Sequence, residues 1–221
     1  DAGKSQDSKL LSRFGDRIFL FFMVTPPAET VVRAWERGKT TGRYKAVDDL
    51  LYHNIEAFTG MPALFLSWVL SADKKVHFEF LDNDVPKGTL PKTGAFGCNQ
   101  LMTVFDVALL LNIDRYKNVN IDAVCAEEVL SDNTGARAVF LGRCIKSIAE
   151  VRFFNVPGNC FYAVFRSGEL VFYDQQMLLQ AGFELENELL SEYITGKEVL
   201  AEPPEIDLQA EQHDTLGRWG S

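Results

Sequence analysis

Seven consecutive apolar residues, Ile18 to Val24 in "RIFLFFMV", constrain this chain more than any other stretch. The run is far shorter than the ~20 residues a membrane-spanning helix needs. It has neither the strict alternation of a half-buried strand nor the spacing of an amphipathic helix. Gly15-Asp16 bounds it on one side and Pro26-Pro27 on the other. Such a run reads as a strand buried on both faces, as in a parallel sheet under helices. The next segment, "TPPAETVVRAWERG", supplies a first cover. Thr25 is placed to cap a helix and Pro26 suits its first turn, Val31, Val32 and Trp35 form an apolar stripe, and Gly38 ends it.

A glycine-bearing loop, "GKTTGRYKA", leads into a helical stretch over about 44–70. There Leu50, Leu51, Ile55, Phe58, Leu64, Phe65 and Trp68 recur at helical spacing, and a break is expected at "TGMP". "KKVHFEFLDND" (74–84) alternates and ends in turn residues, so it reads as a second strand. Two strands joined through helices favour parallel pairing with a right-handed crossover. "VPKGTLPKTGAFG" reads as loop, 101–113 and 121–132 as helices, and 150–175 as a three-stranded meander turning at "PGN" and "SGE". A helix over about 175–194 and a polar tail follow. The expectation is an α/β portion, 1–130, and a smaller α+β portion with a β-meander, 131–221.

Composition limits the function classes. The 221 residues are 47% hydrophobic and 24% charged, which describes a globular chain with a sizeable core. A net charge of −9 argues against a broad nucleic-acid-binding face, while leaving room for a local arginine cluster. Cys98, Cys125, Cys144 and Cys160 lack metal-ligand spacing and are too sparse for a disulfide framework. No metal site or membrane span is expected, and a reducing cytoplasm is the expected compartment. The chain does not open on Met, and the expectation is that it starts inside a longer protein; the terminal "GS" reads as a cloning remnant.

The chemistry-bearing cluster is basic. Arg33 and Arg37 stand four apart on one helix face, and Arg43 follows at the far end of the Gly-bearing loop. A guanidinium binds phosphate oxygens bidentately and keeps its charge, so this arrangement suits a lid that closes over phosphates. The competing reading is a solvated face on which Glu29 pairs with Arg33 and Glu36 lies beside Arg37.

"FFMVTPPAETVVRAWERG", then "GRYKAVDDLLYHNIEAF", then "VHFEFLDND" resemble in order and spacing the C-terminal half of zeta-toxin-type kinases. The resemblance covers about residues 1–84, extending towards 122. It implies a partial P-loop-kinase-like parallel sheet with helices, and a reaction moving the γ-phosphate of ATP to a hydroxyl of a nucleotide sugar such as UDP-N-acetylglucosamine. It also implies ATP and Mg²⁺ as cofactors of the intact enzyme, and an antitoxin or the N-terminal half of the same protein as partner. The family's lid arginine corresponds to Arg43, with Arg33 and Arg37 as further phosphate ligands and His53 and Asn54 near the substrate. Asp82 and Asn83, at the end of a strand, are candidates for nucleotide contact. The family's phosphate loop and catalytic Asp have no counterpart here.

Two other motifs are weighed. "DAGKS" ends like a phosphate loop, but Leu10, Leu11, Phe14 and Gly15 after it read as the last turns of an amphipathic helix. "GNCFY" around Cys160 resembles the nucleophile motif of ovarian-tumour-type cysteine proteases. A hydrolase would need Cys160 on a helix start with His213 in reach, whereas its neighbours alternate as strand. His77 reads as a packing residue. A non-catalytic interaction domain, with an exposed apolar patch or covered edge around 150–175, is the alternative to the kinase.

Overall fold

The computed structural model describes residues 13–71, 73–130, 138–174 and 176–177. β1 (Arg17–Val24) lies parallel to β2 (Lys75–Asp82) in unbroken register, Arg17 opposite Lys75 through Val24 opposite Asp82. The crossover is α1 (Pro27–Thr41) and α2 (Val47–Val69). β3 (Lys92–Cys98) and β4 (Leu101–Val104) continue antiparallel. A second helical crossover, α3 (Val107–Arg115) and α4 (Val139–Ser147), leads to β5 (Glu150–Asn155), parallel to β4. β6 (Cys160–Arg166) and β7 (Glu169–Tyr173) close the sheet as antiparallel hairpins. The protein is thus mixed α/β, and among the described residues its sheet has seven strands whose spatial order equals their chain order. Strand–helix–helix–strand–strand occurs twice, first from β1 to β3 and again from β4 to β6. One sheet runs through residue 130, because β4 before it pairs with β5 after it. Among the described residues no helix is long and apolar enough to cross a membrane.

The core lies between the sheet and α2, α3 and α4. Phe65 of α2 meets Phe78 and Phe80 of β2 edge-to-face, with centroids 4.8 and 5.0 Å away, and Phe80 meets Phe140 of α4 at 5.6 Å. Edge-to-face pairs add about 0.5–1.5 kcal/mol each beyond area burial, and this cluster joins the two crossovers. Asp114, buried on α3, accepts from Phe140 N at 2.8 Å and from Lys117 Nζ at 3.0 Å. It satisfies an N-terminal donor of α4, which has no side-chain cap of its own.

Several elements differ from the sequence expectations. The meander, the two parallel strands and their helical crossover are present. The helix expected over 101–113 is β4 followed by α3, whose start is fixed by Asp106 accepting from Leu109 N. Of the segment expected as helix over 121–132, the described residues, to 130, form one 3₁₀ turn, Ala126–Glu128, with a bridge between Val119 and Leu130. β3 falls where loop was expected, and its glycines explain why. A Cβ on Gly97 would come 2.0 Å from Leu101 O and 2.7 Å from Phe78, and one on Gly94 would come 2.2 Å from Leu109 Cδ2. These glycines admit neighbours and do not mark turns. α2 passes through Pro62 unbroken, its buried residues continuing on both sides. Pro26 occupies the N-cap of α1, while Gly42, at φ 71°, ends it in the left-handed conformation. The helix expected over 175–194 lies mostly outside the described residues.

β1 departs most. Ile18, Phe22 and Val24 are buried, but Phe19, Phe21 and Met23 are 39, 49 and 42% exposed. The strand is covered on one face because α2, α3 and α4 share that face and β1 is the first strand of the sheet.

The β3–β4 turn ties both crossovers together. Asn99, at φ 45°, accepts from Val76 N at 2.9 Å, and its Nδ2 lies 2.9, 3.2 and 3.3 Å from the carbonyls of Lys74, Ser71 and Val69. Gln100 accepts from Ala149 N through its side chain and from Glu150 N through its backbone, both at 3.0 Å. Asn99→Ala is expected to cost about 2–3 kcal/mol in urea denaturation, because it orphans backbone groups of the α2–β2 connection. Asn99→Gly relieves the backbone conformation yet should recover only a small part of that loss; full recovery would show that the side-chain bonds contribute little.

Candidate functional site

The site builds from the carboxyl ends of β1 and β2, where ligands of open α/β sheets bind. Asn83 joins the two ends. Its N–H donates to Val24 O at 2.9 Å and its Nδ2 to Thr25 Oγ1 at 2.9 Å. Thr25 therefore acts as an acceptor for Asn83 and not as the expected helix cap. Arg33 extends the join to α1, with Nη2 donating to Asn83 O at 2.8 Å and Val85 O at 3.0 Å, and Nε to Glu29 Oε1 at 2.7 Å. That guanidinium holds the β2–β3 loop against α1.

A cleft of about 600 Å³ lies between α1 and this loop, lined on one side by Arg33, Arg37 and Thr40 and on the other by Lys87, Gly88 and Thr89. Glu29 and Glu36 also line it, Glu29 engaged by Arg33 and Glu36 by Lys39 at 2.8 Å. Lys39 holds the Glu36 carboxyl below the usual carboxylate range, by a hydrogen bond and by its charge. Arg37 faces a second concavity of about 610 Å³, shared with Thr41 and Arg43. Arg37 is the residue common to both.

Packing holds the Arg43 loop against α1. Gly42 N donates to Gly38 O at 2.8 Å, the Tyr44 ring packs at a tilt against Trp35 with centroids 5.1 Å apart, and a Cβ on Gly38 would fall 2.5 Å from the Tyr44 ring. Gly38 thus leaves room for Tyr44, and the exposed Arg43 precedes Tyr44 directly.

The other candidates, His53, Asn54 and Asp82, do not line either concavity. His53 is exposed on α2 and pairs with Glu56 at 3.1 Å. Asn54 Nδ2 is buried and makes no hydrogen bond. Asp82 accepts from Asp84 N at 2.9 Å. Tyr116 lies close enough to these carboxylates to feel them, its phenol pushed up to about 12 by burial first and then by Asp84 and Asp82, with Arg115 opposing. It is a neutral hydroxyl at physiological pH. Sequence reasoning missed Lys87 and Tyr116; a lysine between Pro86 and Gly88, just after a strand, was the available signal for the first.

Cys160 stands at the start of β6, not on a helix, and its thiol donates to Met177 Sδ at 3.2 Å. His213 lies outside the described residues, as do Gly3, Lys4 and Ser5. His77 is buried on β2, stacked under Phe19 at 4.8 Å, with Cys98 Sγ 3.9 Å from its Nε2. Glu150 draws Arg166 and Arg152 onto the opposite half of the sheet. Burial raises the Glu150 carboxyl, but hydrogen bonds from Arg166 and Arg152 outweigh it and hold the group below its usual range. Among the described residues, no group of three or more His, Cys, Asp or Glu side chains comes together as a metal cage.

No family model, curated protein or solved structure matches this chain.

The geometry separates the two arginines of α1. Arg33→Ala should lower folding stability by about 1.5–3 kcal/mol, since charged donors leave carbonyls unsatisfied. Arg37→Ala should stay within about 0.5 kcal/mol of the parent. Equal losses in urea melts would show that Arg37 is structural as well.

Proposed function

We propose that this chain is the lid-bearing portion of an ATP-dependent small-molecule kinase of the zeta-toxin type. In this reading the γ-phosphate of ATP passes to a hydroxyl of a nucleotide sugar such as UDP-N-acetylglucosamine, in the cytoplasm. The observation that supports it most is the meeting of Arg37 and Arg43 at one concavity, beside the carboxyl ends of two parallel strands. The order strand, helix, arginine-bearing loop, long helix, strand agrees with the partial P-loop-kinase-like sheet that the sequence resemblance implies.

ATP supplies the phosphoryl group, and this chain's residues manage its charge. Arg37 and Arg43 clamp phosphate oxygens from two sides, a contact that strengthens as charge develops on the transferring group. Lys87 adds a third cation across the cleft. Arg33 is a positioning residue, fixing α1 to the end of β2 so that Arg37 projects from a rigid base. Asn83 belongs to that frame, its amide occupied by Thr25 and its carbonyl by Arg33. Nucleotide contact at this end then falls to Asp82.

Titration with ATP, followed by the arginine Nε–H resonances, tests the reading. Saturable, salt-sensitive shifts are expected at Arg37 and Arg43. Arg37→Ala and Arg43→Ala should each weaken binding about tenfold, or ~1.4 kcal/mol. Arg43→Lys should recover little, because an ammonium does not reproduce the guanidinium fork. Undiminished ATP binding by the double alanine variant would sink the proposal.

A second reading, a non-catalytic interaction domain, is favoured by one observation, the exposed row on β1. The meander over 150–175, where that reading expects an exposed apolar patch or a covered sheet edge, buries Phe153, Phe161 and Phe165 while Val156 is exposed.

A further inference from the structure

We propose that Trp35 and Tyr44 form a stacking platform for a nucleobase whose attached phosphates reach Arg37 and Arg43. The ligand class is a mononucleotide, free or carrying a further group. The inference deepens the kinase reading and rests on it for the phosphate contacts, whereas the platform itself is argued from packing and exposure.

The sequence sets Trp35 on an apolar stripe with Val31 and Val32, a pattern that implies burial. Trp35 is instead 56% exposed, and Tyr44 is 57% exposed. Trp68 on α2 shows the usual fate of an indole, 4% exposed and packed against Phe14 at 5.8 Å. Large aromatic rings left together in water forgo much burial, and such rings are the ones that binding surfaces use.

Local structure holds the pair in place. Gly38 is buried and provides a seat, since a Cβ there would lie 2.5 and 2.6 Å from two Tyr44 ring carbons. Gly42, in the left-handed conformation, turns the chain and donates to Gly38 O, which brings Tyr44 back onto α1. The phenol ring then packs against Trp35 with centroids 5.1 Å apart and planes tilted by 51°. Two glycines are thus committed to fixing an aromatic pair that the core does not take up.

The cleft beside α1 connects this pair with the arginines. Val32, three residues before Trp35 and next to it on the helix surface, lines the cleft. So does Arg37, which also faces the second concavity together with Arg43. A ligand with a flat ring at the Trp35 end therefore meets guanidinium groups at the other, and Val85 and Pro86 give the opposite wall apolar surface. Glu36, between Trp35 and Arg37 in the chain, lines the cleft too; Lys39 keeps its carboxylate ionised, as an acceptor for a ribose hydroxyl. Aromatic faces stack on bases and guanidiniums bind phosphates, so an aromatic pair with two arginines matches a nucleotide. A net charge of −9 disfavours a long polynucleotide in its place.

Base and phosphate are told apart by titrating the chain with ATP, with UDP-N-acetylglucosamine and with inorganic tripolyphosphate, followed by tryptophan fluorescence and calorimetry. At least one nucleotide should quench the emission saturably, and the quench should vanish in Trp35→Leu. The tighter binder of the two identifies adenine or uracil as the base. Trp35→Leu and Tyr44→Leu should each weaken nucleotide binding about tenfold, with the circular dichroism spectrum retained and tripolyphosphate affinity changed less than twofold. Trp35→Phe should keep most of the nucleotide affinity, and Arg43→Ala should weaken every ligand. Equal losses for nucleotide and tripolyphosphate in Trp35→Leu would overturn the platform, because the ring would then only position the arginines. Undiminished nucleotide binding by Trp35→Leu, tighter binding of a single-stranded oligonucleotide than of either nucleotide, or no nucleotide binding at all would overturn it too. Tripolyphosphate held at Arg43 with no gain from a base leaves the arginine clamp and removes the platform. Stacking retained in Arg43→Ala leaves the platform and removes the kinase reading.

Discussion

The side chain of Asn99 is the interaction on which the sheet's arrangement most depends. A two-residue turn usually serves only the strands it joins. Here it also receives the chain as it leaves α2 and enters β2, through an acceptor for Val76 N and a donor shared among three carbonyls. Gln100, the next residue, does the same for the end of the second crossover. Each crossover must return to a set height beside its parallel neighbour, and these two amides set that height for both. A hydrocarbon at position 99 would leave several backbone groups buried without partners, and such penalties exceed what one apolar side chain returns.

The arginines of α1 divide the labour at the candidate site. Arg33 commits Nε to Glu29 and Nη2 to two backbone carbonyls, which fixes the plane of its guanidinium as part of the frame. Arg37, one turn later, projects from the helix that Arg33 anchors. Arg43 reaches the neighbourhood by packing: Tyr44 presses on the bare face of Gly38 and leans at a tilt against Trp35. A charged loop is thus held close to another guanidinium by aromatic contact, against their mutual repulsion. Among the described residues no ion pair engages Arg37 or Arg43, an arrangement in keeping with the anion-binding role proposed for them.

Much of the fold was legible from local signals. The apolar run of β1, the alternation of β2 and the turn-bounded meander are short-range patterns, and each became the expected element. The losses came where the same residue types serve a different purpose. Gly94 and Gly97 looked like loop because glycine punctuates loops, but they make room for Leu109 and Phe78. Leu101 to Val104 looked like the opening of a helix because a short apolar run carries no period, and only pairing with β3 and β5 makes it strand. At the site, arginine spacing on α1 was visible in the sequence, whereas the commitment of Arg33 to carbonyls fifty residues away was not.

By itself, the sequence determined the class of the protein: strands alternating with helices, a parallel β1–β2 unit, and a basic cluster just after the first strand. These follow from hydropathy period and local capping, which act over a few residues. Tertiary structure alone decided that one continuous sheet carries both parts, that Arg33 is a clamp while Arg37 and Arg43 share a concavity, and that the most apolar strand lies at the rim. The reason is that strand order, burial and hydrogen-bond partners depend on segments far apart in the chain. Ile18–Val24 encodes an appetite for cover on two faces, but which neighbours are there to satisfy it is a property of the assembled sheet.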